Sequence, residues 1–86
     1  MKILKHQLQI TDLQEIMLPL GYEILSIQVQ KEVPCIWYKC DPEQTFEVPL
    51  LIAMYATGQE LLVNQMKYFT TYQLEGGNLV FHVYIL

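Results

Sequence analysis

The sequence predicts a mostly β fold: a small antiparallel sheet, sandwich or barrel-like domain with at most one short helix. Two observations support this fold class. Apolar and polar residues alternate with a period of two along most of the chain, as they do in half-buried strands. Groups of Gly, Pro, Asp and Asn, which favour turns, separate the alternating runs. With 86 residues, the chain is expected to form a single domain over residues 1–86.

The first half of the chain predicts four strands. In residues 21–30, for example, the alternation places Leu25, Ile27 and Val29 toward the core, with a serine and two glutamines between and after them. Pro and Gly near residues 19–21 stop the preceding strand. The predicted strands are 3–10, 15–19, 21–30 and 35–40, and the predicted turns are 11–14, 31–34 and 41–44.

The second half predicts one buried strand, a short connection and a hairpin. Residues 57–66 are the only place where a helical turn fits, because Thr57 and Glu60 have capping-box spacing. One or two helical turns, or a loop, are expected there. Gly76 and Gly77 supply the positive φ angles that a tight turn requires. The predicted strands are 46–56, 67–74 and 79–86, with a turn at 75–78.

The last predicted strand, residues 79–86, is apolar on both faces, and one face also carries His82 and Tyr84. A strand of this composition is expected to be covered on both sides. One cover is the domain core, and the other is either a part of the same chain or a second subunit. Because an exposed apolar edge strand promotes aggregation, burial between subunits is favoured. The chain is 52% hydrophobic and only 16% charged, which also indicates a homo-oligomer.

Charge and composition argue against nucleic acids and membranes as partners. The net charge is −4, and the five basic residues are all lysines, whereas nucleic-acid binding depends on many Lys and Arg contacts. No segment approaches the roughly 20 apolar residues of a membrane helix, and polar residues interrupt the first ten positions. The chain is therefore expected in a cytoplasm, with both cysteines reduced.

The sequence lacks the patterns of common catalytic and metal sites. Cys35 and Cys40 are five positions apart in one predicted strand, so they lie on opposite faces and cannot bridge. Ser26 has no nucleophile-elbow sequence around it, and no phosphate-binding loop occurs. We expect no enzyme activity, no cofactor and no metal. His82 is interpreted either as a neutral core histidine satisfied by a neighbouring strand or as a ligand-binding imidazole.

Aromatic residues are the remaining candidates for a binding site. Most are expected to fill the core and a subunit interface, but some can form a surface that stacks a nucleobase-like ring beside lysine and hydroxyl groups. The candidate ligand-binding residues are Trp37, Tyr38, Lys39, Thr57, Tyr72, His82 and Tyr84.

Several segments also resemble known proteins: "ILKHQLQITD" (3–12), "ILSIQVQ" (24–30), "PCIWY" (34–38), "ATGQEL" (56–61) and "TYQLEGGNLVFHVY" (71–84). Over essentially its whole length, the chain resembles a family of small phage and prophage proteins that carry a domain of unknown function. Residues 41–55 and 63–72 depart from the family pattern, so ligand contacts there are not carried over. The resemblance implies a phage product in the host bacterial cytoplasm, of the kind that counters host defences.

These observations lead to one main hypothesis and two alternatives. The main hypothesis is a non-enzymatic, homo-oligomeric phage protein that sequesters a small nucleotide-derived immune signal in pockets between subunits. The first alternative is an inhibitor that covers a host defence protein or nuclease with its acidic surface. The second alternative is a minor structural or assembly component of the virion. The acidic residues considered for the inhibitor are Glu15, Glu23, Glu32, Glu43 and Glu47.

Overall fold

The computed structural model describes residues 1–62 and 64–86, which form seven strands in two antiparallel sheets. The predicted β fold and all seven predicted strands are confirmed, and the two sheets form a sandwich that is not closed into a barrel. Within these ranges, no helix is both long and apolar enough to cross a membrane. The elements are β1 (Lys2–Gln7), β2 (Leu13–Pro19), β3 (Glu23–Gln30), β4 (Val33–Cys40), β5 (Glu47–Ala56), β6 (Lys67–Leu74), a 3-10 turn (Glu75–Gly77) and β7 (Leu79–Ile85).

The strand order places the terminal strand inside a sheet. The three-stranded sheet has the order β1-β4-β3, and the four-stranded sheet has the order β2-β5-β7-β6. β7 therefore pairs with β5 on one side and β6 on the other. The concern that this strand forms an exposed edge is therefore not borne out, because neighbouring strands of the same chain pair with it on both sides.

The core lies between the inner faces of the two sheets. Apolar residues at alternate positions of β2, β5 and β7 meet those of β3 and β4, as the period-two pattern predicts. Each fully buried aliphatic side chain contributes about 1.5–3 kcal/mol through the hydrophobic effect. The most deeply buried side chains, at 2% exposure or less, include Leu18, Ile27, Ile36, Cys40, Leu50, Ile52, Met54 and Val83.

A β-bulge in β3 changes which residues face the core. The register between β3 and β4 shifts between Ile24 and Ser26, so Leu25 is an extra residue in the strand. Ile24 and Ile27 pack against the core, whereas Leu25 is 42% exposed. The prediction that Leu25 points inward is therefore wrong. An alternation rule applied to the sequence cannot detect an inserted residue.

Residues 57–66, where helical turns or a loop are expected, form a turn followed by a loop over the described positions. The turn is closed by the Gln59 N–H, which donates to the Ala56 carbonyl at 3.0 Å. The Ala56 N–H in return donates to Gln59 Oε1 at 3.0 Å. Gly58 adopts a φ of 91°, which is incompatible with a helix starting here. Val63 lies outside the described residues.

Cys35 and Cys40 are free thiols on opposite faces of β4, which confirms the expectation that they do not bridge. Cys40 belongs to the core cluster between the sheets. Cys35 lies on the outer face, where it is nevertheless only 1% exposed. Both sulfur atoms therefore act as small buried apolar groups.

Candidate functional site

Two of the seven predicted ligand-binding residues, Tyr38 and Tyr72, lie in the core. Their exposed fractions are 8% and 4%. The Tyr72 hydroxyl donates a hydrogen bond to Met54 Sδ at 3.2 Å. Burial raises the pKa of Tyr72 to about 12, and burial also raises the pKa of Tyr38. Both rings face the opposite sheet, so neither is available to stack a ligand at the surface.

The other five predicted residues divide between two opposite faces of the sandwich. Trp37 and Lys39 alternate with core residues of β4, so they lie on the outer face of the three-stranded sheet. Thr57, His82 and Tyr84 lie together on the outer face of the four-stranded sheet. A single subunit therefore contains two separate candidate sites rather than one pocket that unites all seven residues.

Trp37 occupies the centre of the first site, and its ring is partly exposed. Its direct partners in register are Lys5 of β1 and Ser26 of β3. Residues that lie opposite each other in this way have Cα atoms about 4.5–5.5 Å apart. Lys39 follows two positions later on the same face, where its Nζ lies 3.4 Å from Glu23 Oε1. Trp37 thus shares the outer face of the sheet with Lys5, Ser26 and Lys39.

Both lysines beside Trp37 are accessible to an additional anion. Lys5 Nζ donates to Gln30 Oε1 at 2.6 Å, and because the amide is neutral, the charge of Lys5 is not cancelled. The Lys39–Glu23 pair is solvent-exposed, with side-chain exposures of 42% and 63%. Exposed pairs of this kind contribute about 0–1 kcal/mol, so a phosphate can replace the carboxylate at little cost.

Charge is distributed unevenly between the two halves of the sandwich. The three-stranded sheet and its hairpin turn hold four of the five lysines and two of the nine acidic residues, a formal charge of +2. The rest of the chain holds one lysine and seven acidic residues, a formal charge of −6. The two groups of residues approach each other at the end of β4, where Asp41 follows Lys39 by two positions.

The second site is built around His82, whose two ring nitrogens both have hydroxyl partners. Nε2 lies 2.7 Å from Thr57 Oγ1, and Nδ1 lies 2.9 Å from Thr71 Oγ1. Thr71 Oγ1 also lies 2.7 Å from the Tyr68 hydroxyl. Each hydroxyl can donate or accept, so the chain of four side chains is satisfied with the imidazole proton on either nitrogen. His82 is thus hydrogen-bonded by neighbouring side chains, as the interpretation of a satisfied histidine requires, but it is half-buried on the outer face and does not lie in the core.

Tyr84 of the second site packs against two other tyrosines rather than presenting a free ring face. Its ring centroid lies 6.0 Å from that of Tyr55 and 5.7 Å from that of Tyr68, both in edge-to-face geometry. Such pairs contribute about 0.5–1.5 kcal/mol beyond the buried area. Tyr55 is 5% exposed although it lies on the outer face. The tyrosines therefore stabilise the outer face of the sheet.

The loop after β5 lies over part of the same outer face. A cavity of about 310 Å³ separates Leu62 and Met66 of the loop from Leu13, Leu51 and Leu86 of the sheet. Of the predicted terminal strand 79–86, only Leu86 is among the described residues that line this cavity. Leu62 and Leu86 remain 78% and 63% exposed, so this cover is incomplete.

Sequence reasoning missed Lys5 and Ser26 at the first site and Thr71 at the second. Each lies far from its partner in the chain, and only the strand register brings them together. For Lys5, its position on the polar face of β1 was a usable signal, but nothing in the sequence indicates that β1 pairs with β4.

Comparison with known proteins identifies one family. The family model described as "Domain of unknown function (DUF7352)" matches residues 1–86, the whole chain. No curated protein and no solved structure matches the chain. The resemblance to a family carrying a domain of unknown function is therefore confirmed, and the finding carries no information on phage origin.

Proposed function

We propose that this chain, which belongs to the DUF7352 family over its whole length, is a non-enzymatic protein that binds a small nucleotide-like ligand. The ligand binds on the outer face of the three-stranded sheet, at Trp37. The proposal includes a phage or prophage origin, a homo-oligomeric state and action in the host bacterial cytoplasm. There the protein sequesters a nucleotide-derived immune signal and so counters a host defence.

The observation that carries the proposal is the partly exposed Trp37 between Lys5 and Lys39 on the positively charged half of the molecule. A nucleobase stacked on an aromatic side chain gains about 1–3 kcal/mol. Hydrogen bonds from charged groups contribute about 1.5–3 kcal/mol each. After the cost of association, these contacts correspond to a Kd of roughly 10–1000 µM for a mononucleotide, and to tighter binding for a ligand with a second base or phosphate.

The His82 site is less suited to a phosphate-bearing ligand. It lies on the half of the molecule with a formal charge of −6, which repels anions. Both nitrogens of His82 are already within hydrogen-bond distance of threonine hydroxyls, so a ligand would have to break existing bonds. Of the residues predicted from the sequence, the proposal therefore keeps Trp37 and Lys39 as ligand contacts and adds Lys5 and Ser26.

Tryptophan fluorescence tests the proposal directly, because Trp37 is the only tryptophan in the chain. AMP, NAD and a cyclic dinucleotide are titrated separately into the protein at about 1 µM, up to about 5 mM ligand. At least one of them should quench the Trp37 emission in a saturable manner. If none of the three quenches the folded protein, or if quenching is linear without saturation, the proposal is wrong.

Lysine variants separate a local site from a general charge effect. Lys5→Gln and Lys39→Gln should each weaken binding by about tenfold, the loss of one charge-assisted contact. Lys67→Gln makes the same change of net charge on the acidic half, and it should alter the Kd by less than about twofold. An equal loss in all three variants would show that no specific phosphate contact exists beside Trp37.

The acidic half favours a second candidate, an inhibitor that covers a basic host protein. Its seven acidic residues are all exposed and accompany a single lysine. Charge-driven complexes weaken steeply with salt. A host protein captured at about 50 mM NaCl should be released at about 500 mM NaCl and should not bind a variant with Glu43→Lys and Glu47→Lys. Binding that survives both changes would contradict this candidate.

A further inference from the structure

The two sheets end in edge strands of contrasting composition. Over the described residues, β1 and β2 pair on one side only, as do β3 and β6. β1 carries two lysines and a histidine, and β2 carries a glutamate and a proline, all of which discourage pairing with another strand. By contrast, the central segments Leu25–Val29 of β3 and Phe69–Gln73 of β6 contain neither a charged residue nor a proline. These two central segments are not protected by charge or proline, and the register shift in each strand lies at the start of its segment rather than within it.

The two unprotected edges lie next to each other on the same side of the sandwich. They line a shared groove of about 530 Å³, to which each contributes five consecutive residues. Both strands contain a register shift at the start of the segment, at Leu25 and Phe69 respectively. Beyond these shifts, both strands keep a regular register with their inner neighbours. Within this regular stretch, every second residue of each strand directs its backbone N–H and C=O away from the sheet, as a template for a further strand.

We propose that these two edges form a homodimer interface in which a second copy of the chain lies edge to edge. β6 pairs antiparallel with β6 of the second copy and β3 with β3, around a two-fold axis, so that both sheets continue across the dimer. The inference supplies the interface for the homo-oligomer of the proposed function, but it does not depend on the ligand site at Trp37.

Charge and symmetry favour a second copy as the occupant. Each subunit carries a net charge of −4, so self-association requires a surface without charge. The ten described residues that line the groove meet this requirement. A two-fold axis near Thr71 places threonines opposite threonines, a favourable cross-strand pair. The dimer also covers Leu25, which is 42% exposed in the monomer.

The size of the interface sets the expected affinity. Ten lining residues a side is at most half of the roughly 20–30 residues a side found in stable interfaces. A dimer of this size belongs with weak complexes, and we expect a dissociation constant on the order of 1–100 µM. The protein should therefore change from monomer to dimer over an accessible range of concentrations.

Light scattering with size-exclusion chromatography from about 1 µM to about 500 µM tests the dimer, and a matched pair of variants locates it. Gln28 on the β3 edge and Gln7 on the β1 edge are both exposed and flank Cys35 in one row of the sheet. Gln28→Lys should weaken the dimer at least about fivefold, because the two-fold axis brings like charges together. Gln7→Lys, with the same charge change, should leave the dissociation constant within about twofold.

Hydrogen exchange provides a test that requires no substitution. Raising the concentration through the monomer–dimer range should slow exchange in residues 24–30 and 68–74, the strands whose free amides become paired. A monomer at every concentration overturns the inference, as does a dimer that protects only other segments or is insensitive to Gln28→Lys. The Trp37 titration uses protein at about 1 µM, where at least about half of the chains are monomeric, so the ligand site and the dimer interface can fail independently.

Discussion

Replacing Ile27 and Leu25 separately by alanine tests the β-bulge that decides which face of β3 reaches the core. Simple alternation makes the two residues equivalent, since both belong to the apolar face of the strand. The structure separates them, because Ile27 is 2% exposed and Leu25 is 42% exposed. The two substitutions remove similar numbers of carbon atoms from one strand and should nevertheless have unequal effects.

The expected magnitudes follow from burial. Ile27→Ala removes apolar atoms from the centre of the sandwich and leaves a cavity, which lowers the free energy of unfolding by about 2–5 kcal/mol. Leu25→Ala removes a side chain that is only partly buried, and the space it leaves is open to solvent. The free energy of unfolding should therefore fall by only about 1 kcal/mol. In a domain of this size, 1 kcal/mol corresponds to a change in Tm of roughly 4–8 °C. The two losses differ by about 1–4 kcal/mol, so the two variants should differ in Tm by at least about 4 °C.

Urea denaturation followed by far-ultraviolet circular dichroism measures both variants. Every experiment uses one protein concentration, because self-association stabilises the folded state by mass action. The slope of the unfolding free energy against urea should match the wild-type protein if the fold is retained. If Ile27→Ala is too unstable to measure, Ile27→Val is expected to lower the unfolding free energy by about 0.5–1.5 kcal/mol. Equal losses for Leu25→Ala and Ile27→Ala would refute the bulge.

Two further predictions concern hydroxyl groups. The pKa of Tyr72 is about 12 in the folded state and 10.0 in the unfolded state. Below pH 10 the hydroxyl is protonated in both states, and its contribution to stability is fully present. As the pH rises from 10 to 12, the free energy of unfolding should fall by roughly 2–3 kcal/mol, because only the unfolded state releases the proton readily. Tyr72→Phe should lack this part of the alkaline loss in urea titrations at each pH, and an unchanged pH dependence would contradict the burial argument. Thr71→Val preserves the side-chain shape but removes both hydrogen bonds, to His82 and Tyr68, so the free energy of unfolding should fall by about 1 kcal/mol. The imidazole signals of His82 should shift in NMR spectra of this variant, and unchanged spectra and stability would show that the chain of hydroxyls is not formed in solution.

The sequence alone determined the number and type of the elements. Period-two alternation, together with apolar runs bounded by turn residues for the two buried strands, identified all seven strands. The turn at Gly76 and Gly77 was equally predictable, since φ angles of 66° and 98° favour glycine. The free state of Cys35 and Cys40 followed from the same alternation, because their spacing places them on opposite faces of β4.

The candidate site was only partly predictable. Trp37 and Lys39 were identified from residue type, and the structure places both on one outer face. Tyr38 and Tyr72 were selected by the same criterion, yet they fill the core. An aromatic residue in a strand with apolar residues on both faces has no local feature that tells the core from the surface. The side that faces the second sheet is decided by the packing of the whole sandwich.

Apart from the β6–β7 hairpin, which the sequence predicts, only the tertiary structure decided which strands are neighbours. Lys5 and Ser26 lie beside Trp37 because β4 pairs with β1 and β3, and the terminal strand is internal because β5 and β6 enclose it. The same register contains the bulge at Leu25 and leaves β3 and β6 as the unprotected edges. Every strand offers the same backbone N–H and C=O groups, so knowing that a segment is a strand does not tell which other strand it pairs with. The partner is selected by packing between residues distant in the chain, which no local pattern records.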